Sequence, residues 1–343
     1  MVRAVRVAVD ARSLRGGRSP RGIAVYLSCL LAEPALRTEE DDYKLVVRGR
    51  AAFAAAALTG RPRLDRLVDG CDVVWAPAPA PLAVSRGHPL VLTVHDLSFE
   101  HGARDFGRYE RFWHRLARPR ALARRARRVI AVSDAVRSQL LVEWGLAPEK
   151  VVAVTSGPGR LPSPAGRKPE GLPASYVLAV GELEPRKRPD LLVDAHARAR
   201  AQGLQAGLVF AGGGSLRAEL ETAGAILLGF VPDDRLDALY ANALALVCVS
   251  REEGFGFTPL EALARGTPPV VSDIAPFRET LGDAALRVPP GDVAALADAL
   301  VRLEREDGLR ARITAAGGEA LRRISWERAA RATREVLAEA AGA

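Results

Sequence analysis

Short aliphatic runs recur along the whole chain, and between them lie stretches of helical periodicity or polar loops. No other feature constrains the fold as strongly. Strands that alternate with helices are joined by crossovers, and crossovers produce parallel sheets with helices on both faces. In the first half the runs are VRVAVD, YKLVVRG, DVVWAP, LVLTVHD, RVIAVSD and KVVAVTSG, with helices expected over residues 22–36 and 105–127. The second half restarts the pattern with YVLAVG, AGLVFAG, AILLGF, LALVCVS and PPVVSD. Between the halves, residues 156–175 break every period with prolines, glycines and charges, as a linker does. A chain of 343 residues can bury one core per half, which allows a cleft between two domains. The expected layout is residues 1–165, a linker at 166–175, a second domain at 176–324, and a terminal helix at 325–343 capped by Ser325.

Composition narrows the function classes. No apolar run approaches the roughly 18 residues of a membrane helix, and the N-terminus lacks the layout of a signal peptide, so the chain is expected in the cytoplasm. Cys29, Cys71 and Cys248 lie far apart and form no Cys-x-x-Cys, which reads as ordinary core thiols. The net charge of +8 is concentrated early: residues 1–170 hold 29 Lys and Arg against 17 Asp and Glu. Nucleic acid is not the expected partner, because the arginine-rich stretch carries no recognised binding motif or interleaved stacking pattern. Arg104, Arg108, Arg111, Arg115 and Arg118 recur at steps of four and three along the expected helix. That helix is either a core helix with a solvated face or a peripheral contact for anionic membrane.

Chemistry is concentrated in the second half. SREEGFGFTPLEALARG (250–266) follows a strand and runs into a helix, with Thr258 expected as N-cap, Pro259 at the first helical position and Gly266 beyond the end. Loops at that edge of an open α/β sheet are where ligands bind. Thr258 and Glu261 have the spacing of a capping box, so Glu261 reads equally as a cap or as a ligand. Glu253 precedes the helix and has no capping role, which marks it as a functional loop carboxylate. After YVLAVG, Arg186 and Lys187 stand just ahead of a helix that Pro189 can open, and a cation pair there suits a diphosphate. Gly212 to Gly214 could offer backbone amides to a phosphate.

Together, VGELEPRKRPDLL, FAGGG, LLGFVPDDRLDALY and SREEGFGFTPLEALARGTPPVVSD resemble the nucleotide-binding domain of the family 4 retaining glycosyltransferases, which have the GT-B fold. VDARSLRGGRSPRGIAVYL and LTVHDLSFE extend the likeness into the first half, which most resembles mannosyltransferases of surface-polysaccharide assembly. The resemblance implies two Rossmann-like, doubly wound α/β domains facing across a cleft, with the C-terminal helix packing back on the first. It implies that Arg186, Lys187, Gly22 and Thr258 serve the donor diphosphate, and that Gly254, Phe255, Gly256 and Phe257 line the donor sugar. Glu261 would take the ribose and Val231 the base, while Glu253 and His95 would be the catalytic residues. Two departures stand out: Glu182 occupies a position where many relatives carry arginine, and Thr155-Ser156-Gly157-Pro158 replaces an Asn-Gly pair.

The implied reaction is retaining transfer of a hexosyl unit, mannosyl favoured, from a nucleotide-diphosphate sugar to a glycan, lipid-linked or natural-product acceptor. No Asp-x-Asp occurs, so neither a metal nor another cofactor is expected. His95 is expected to act as a hydrogen-bond donor rather than as a base. A nucleotide-sugar epimerase, a phosphorylase or a non-catalytic sugar-nucleotide-binding module would use related folds.

Overall fold

The computed structural model describes residues 4–15, 22–102, 105–160 and 170–342. The chain forms two compact units, one of Met1–Gly157 with Ile324–Ala343 and one of Pro158–Arg323. The first contains β1 (Arg6–Asp10), β2 (Asp42–Val46), β3 (Val73–Ala76), β4 (Leu90–Val94), β5 (Arg128–Ala131) and β6 (Val151–Ala153). They pair in parallel in the order β2-β1-β3-β4-β5-β6, with Val7 opposite Val73 and Trp75 opposite Val91. Both faces are covered, so β3 and β4 are buried along their whole length and read as continuous aliphatic runs.

The second unit contains β7 (Tyr176–Val180), β8 (Gly207–Ala211), β9 (Ile226–Leu227), β10 (Ala245–Cys248), β11 (Pro269–Ser272) and β12 (Leu286–Val288), in the parallel order β12-β11-β10-β7-β8-β9. All eleven aliphatic runs are strands. The twelfth strand, Leu-Arg-Val, is too short and too polar to stand out in the sequence.

Several helices end earlier than their periodicity suggests, each for a local reason. The expected helix over 22–36 is Gly22–Ala32 followed by a separate turn at Pro34–Leu36, because Pro34 lacks an amide and holds Glu33 extended. The expected helix over 105–127 is two helices, Arg108–Ala117 and Pro119–Arg125. Pro119 disfavours the right-handed conformation at Arg118, which adopts φ 47 and ψ 58 instead. Arg104 lies outside the described residues.

The terminal helix Trp326–Ala341 belongs to the first unit, and Ser325 caps it by accepting from the Arg328 amide. It packs against β3, β4, β5 and the turn at Pro34–Leu36. Arg334 bonds Asp41 at 2.6 Å and Arg128 of β5 pairs with Glu339, so the last helix is tied to the first unit at its middle and in its last turn. In the linker region, residues 158–160 cluster with the second unit, while 161–169 lie outside the described residues. Among the described residues no helix is long and apolar enough to cross a membrane.

Candidate active site

In the second unit the strand order reverses between β7 and β10, and the loops that follow these two strands flank the crevice where open α/β sheets bind ligands. The loop after β7 closes with a turn at Pro185–Lys187, and Pro189 opens the next helix, Pro189–Ala201. Arg188, squeezed before that proline, is left-handed at φ 54. Two of the glycines after β8, Gly212 and Gly214, pack against this loop. A Cβ on Gly212 would lie 1.8 Å from the Gly181 carbonyl oxygen, and one on Gly214 would lie 2.5 Å from that of Leu183. Their role is to let two loops touch backbone to backbone.

The loops after β7 and β10 meet through charge. Lys187 Nζ is in direct contact with Glu253 Oε1, which also accepts from Ser250 Oγ at 2.7 Å. The Arg251 amide donates to the Arg186 carbonyl at 2.9 Å, and Arg186 Nη2 stands 3.4 Å from Glu182. Burial by itself would raise the Glu253 pKa. The Lys187 and Arg186 charges, with the hydrogen bonds from Lys187 and Ser250, outweigh it and hold the carboxyl below its ordinary value. The neighbouring Cys248 thiol is pushed up to about 11, chiefly by burial and then by the Glu253 charge, so it stays protonated. Gly181, Glu182, Lys187, Cys248 and Ser250 line one hollow, backed by Leu192 and Phe210.

The helix after this loop starts two residues sooner than expected, at Phe257 rather than Pro259, with Gly256 in place of Thr258 as its cap. Gly256 is at φ 95, and a Cβ there would lie 2.5 Å from the Phe277 ring, so only glycine can make the turn. Gly254, Phe255 and Gly256 are buried, Phe257 and Thr258 half-buried, and the Phe255 and Phe257 rings meet edge to face at 5.5 Å.

The capping reading of Glu261 does not hold. Its carboxylate accepts from the Arg160 amide (3.0 Å), Arg160 Nε (3.4 Å) and Tyr240 Oη (3.1 Å). Tyr240 is fully buried, and burial, followed by the Glu261 charge, raises its pKa well above the ordinary value, so the phenol is always a donor. Beneath them Arg265 pairs with Asp237 and lies over the Tyr240 ring at 5.3 Å. Val231 packs on the same core cluster as Tyr240.

In the first unit the order reverses between β1 and β3. At the end of β1, Arg12 grips Asp10 through two bonds of 2.6 and 2.8 Å, donates to the Pro81 carbonyl at 2.9 Å, and lies 3.5 Å above the Phe53 ring. His95 follows β4. Its Nε2 donates to the Pro77 carbonyl at 2.8 Å, and its ring meets fully buried Tyr26 edge to face at 4.8 Å. Burial lowers the imidazole pKa despite that hydrogen bond and nearby Asp96, so the ring is neutral with Nδ1 as its remaining acceptor. The expected donor role is therefore already used internally. Gly22 is exposed at the start of its helix, and residues 16–21 before it lie outside the described residues.

Two family models cover the two units: "Glycosyltransferase Family 4" over residues 11–158 and "Glycosyl transferases group 1" over 167–319. The D-inositol 3-phosphate glycosyltransferase of Frankia alni is 30% identical over 289 residues, spanning 75% of this chain and 70% of that protein. The chain belongs to the family 4 glycosyltransferases. The phosphatidyl-myo-inositol mannosyltransferase of Mycobacterium leprae is 40% identical over 160 residues, which is 44% of this chain and 42% of that protein. The chain thus matches less than half the length of that relative. Among solved structures, Anabaena HepE in complex with UDP and glucose aligns over 98% of this chain and 99% of its own, with a TM-score of 0.68 at 18% identity. The two doubly wound parallel sheets are those of the GT-B fold.

Within this family 4 protein, Glu253, Lys187, Arg186 and the 254–258 backbone are gathered at one sheet edge, and Glu261 is on the helix beside them. His95 and Gly22 belong to the first unit. Ser250, Arg160 and Tyr240 were not singled out by sequence reasoning. Ser250 had a signal, because a hydroxyl three residues before a loop glutamate at a strand end is within bonding reach. Arg160 had none, since it meets Glu261 across 101 positions of chain.

Proposed function

We propose that this protein transfers a hexosyl unit, mannosyl favoured, from a nucleotide-diphosphate sugar to a glycan, lipid-linked or natural-product acceptor, with retention and without a metal. The observation that carries the reading is the Lys187–Glu253 pair at the β7/β10 switch point, an ionised carboxylate in contact with a cation that lines the hollow there. Mannosyl and inositol-phosphate glycosyltransferases among the relatives support the substrate class.

The reaction breaks the bond between the anomeric carbon and the donor diphosphate. Charge then grows on both fragments, and fixed charges aimed at it lower the barrier. Lys187 and Arg186 neutralise the departing diphosphate, with the Phe257 and Thr258 amides adding donors. Glu253, held ionised, faces the positive charge that develops on the sugar ring. The acceptor hydroxyl attacks from the same face, its oxygen bonds the anomeric carbon, and its proton passes to the departing phosphate oxygen. Gly254, Phe255 and Gly256 shape the wall against the sugar, Glu261 takes the ribose, and Val231 meets the base. His95 Nδ1 accepts a hydrogen bond from a sugar hydroxyl. Trapping a glycosyl adduct on Glu253 would replace this same-face route by double displacement, and loss of turnover in EDTA would remove the metal-free reading.

A thermal-shift screen with UDP, GDP and ADP and their common sugars tests the donor class, since a ligand at 100 times its Kd adds about 2.7 kcal/mol. No shift with any of them would sink the proposal.

The same reading places the enzyme in the cytoplasm at the inner face of an anionic membrane. The helix Arg108–Ala117 exposes Tyr109 (55%) and Phe112 (60%) beside Arg108, Arg111 and Arg115, and residues 108–128 hold nine arginines against Glu110 alone. Arginine edges with exposed aromatics suit the headgroup region. Co-sedimentation with phosphatidylglycerol vesicles, lost with phosphatidylcholine alone or in Phe112→Ser, is the expected result.

A further inference from the structure

Glu261, the ribose carboxylate of the reading above, is almost closed off in the protein as it stands, with 4% of the residue exposed. On the core side Tyr240 Oη bonds Oε2. The other contacts come from outside the sheet-and-helix framework. Gly159 is left-handed at φ 81, and a Cβ on it would lie 2.8 Å from Glu261 Cγ and Oε1, so the main chain itself presses on the carboxylate. Arg160 then gives Oε1 two N–H donors, its amide and Nε. Two donors on one carboxylate are also what a ribose diol presents. The guanidinium does not stop there: Nη1 contacts Asp233, the first residue of the helix that follows Val231. Arg160 therefore spans from the ribose carboxylate to the base loop, the span a nucleoside would cover. The Arg160 carbonyl accepts from Arg265 Nη1 at 3.4 Å.

We infer that Gly159–Arg160 is a self-ligand of the nucleoside subsite, one that must leave Glu261 before a ribose can bind it. The inference rests on Glu261 being the ribose residue. Docking of this segment and binding of nucleotide are mutually exclusive, so the measured affinity is the intrinsic one reduced by the fraction of molecules in which the segment is off.

Calorimetric titration of UDP and GDP into the wild type and Arg160→Ala tests this. Removing the guanidinium takes away a half-exposed ion pair, so the variant is expected to bind about two- to fivefold tighter. Gly159→Ala, strained and pressed against Glu261, should shift affinity in the same direction. Hydrogen exchange on the wild type needs no variant: the Arg160 amide, protected by Glu261 in the free protein, should exchange faster when nucleotide is added. Weaker or unchanged binding in Arg160→Ala, or added protection of that amide, would overturn the self-ligand and make Arg160 a nucleotide contact or a structural tie. Absence of binding in wild type and variant alike would instead sink the nucleotide reading itself, while binding by the variant alone would support the self-ligand.

Discussion

Replacing Glu253 by glutamine keeps the shape of the side chain and removes its charge, so it separates the roles of this loop. Three consequences follow from its contacts. Lys187, 27% exposed, loses the counter-ion that Glu253, 12% exposed, supplies. A fully buried cation stripped of its partner costs about 3–5 kcal/mol and an exposed one about 0–1, so an intermediate burial gives about 2 kcal/mol. For a domain of this size that lowers the melting temperature by about 4–8 °C. Transfer suffers more, because the charge facing the sugar ring in the transition state is gone; losing one preorganised electrostatic partner costs about 100- to 1000-fold in kcat. Nucleotide affinity should hold or tighten, since Lys187 is released for the diphosphate. Steady-state transfer, calorimetry with UDP and GDP, and thermal melts read the three effects separately. A kcat within about threefold of wild type, or nucleotide affinity falling in step with turnover, would refute the argument and return the loop to a structural role.

Other residues give equally direct tests. Glu261→Gln weakens a charge-assisted hydrogen bond to the ribose and should lower nucleotide affinity by about 10- to 100-fold, with turnover at saturating donor largely kept, as calorimetry and kinetics would show. Asp237→Asn leaves Arg265 buried without a counter-ion, their side chains being 5% and 6% exposed, so a thermal melt should show a loss of about 3–5 kcal/mol. Burial lowers the pKa of His88, His95, His114 and His196, so the unfolded chain binds more protons once the pH drops below about 6.5. Stability contributed by these neutral rings is present above that value and declines as pH falls. Asp65, Glu100 and Glu253, kept low by hydrogen bonds and ion pairs against the opposing effect of burial, add a second decline below about 4. A melting temperature unchanged between pH 8 and 5 would contradict the first part.

Periodicity made most of the fold legible. Inner strands such as β3 and β4 are aliphatic because a parallel sheet covered on both faces has no wet side there, and that requirement is written locally in each run. β12 escaped because three residues, one of them Arg287, carry no period. Helix ends were read least well where a proline acts on the residue before it, as at Glu33 and Arg118. Part of the site was legible for the same local reason: a strand end, glycines and an uncapped glutamate marked Glu253, and a cation pair before Pro189 marked Arg186 and Lys187.

Pairings between those positions were not legible. Whether Glu261 capped its own helix or faced a ligand depended on which donor reached it, and the donor is Arg160, 101 residues away. Likewise Lys187 and Glu253 meet across 66 residues because the β7/β10 neighbourhood brings their loops to one edge. The resemblance implied that the terminal helix packs back on the first domain, but the pairing of its Arg334 with Asp41, across 293 residues, was not legible. By itself the sequence determined the strands, the helices and the edge on which chemistry could sit, since each depends on neighbours in the chain. Only the tertiary structure decided which charges neutralise one another, because a buried carboxylate takes whichever donor the fold carries within about 3 Å, however distant in sequence.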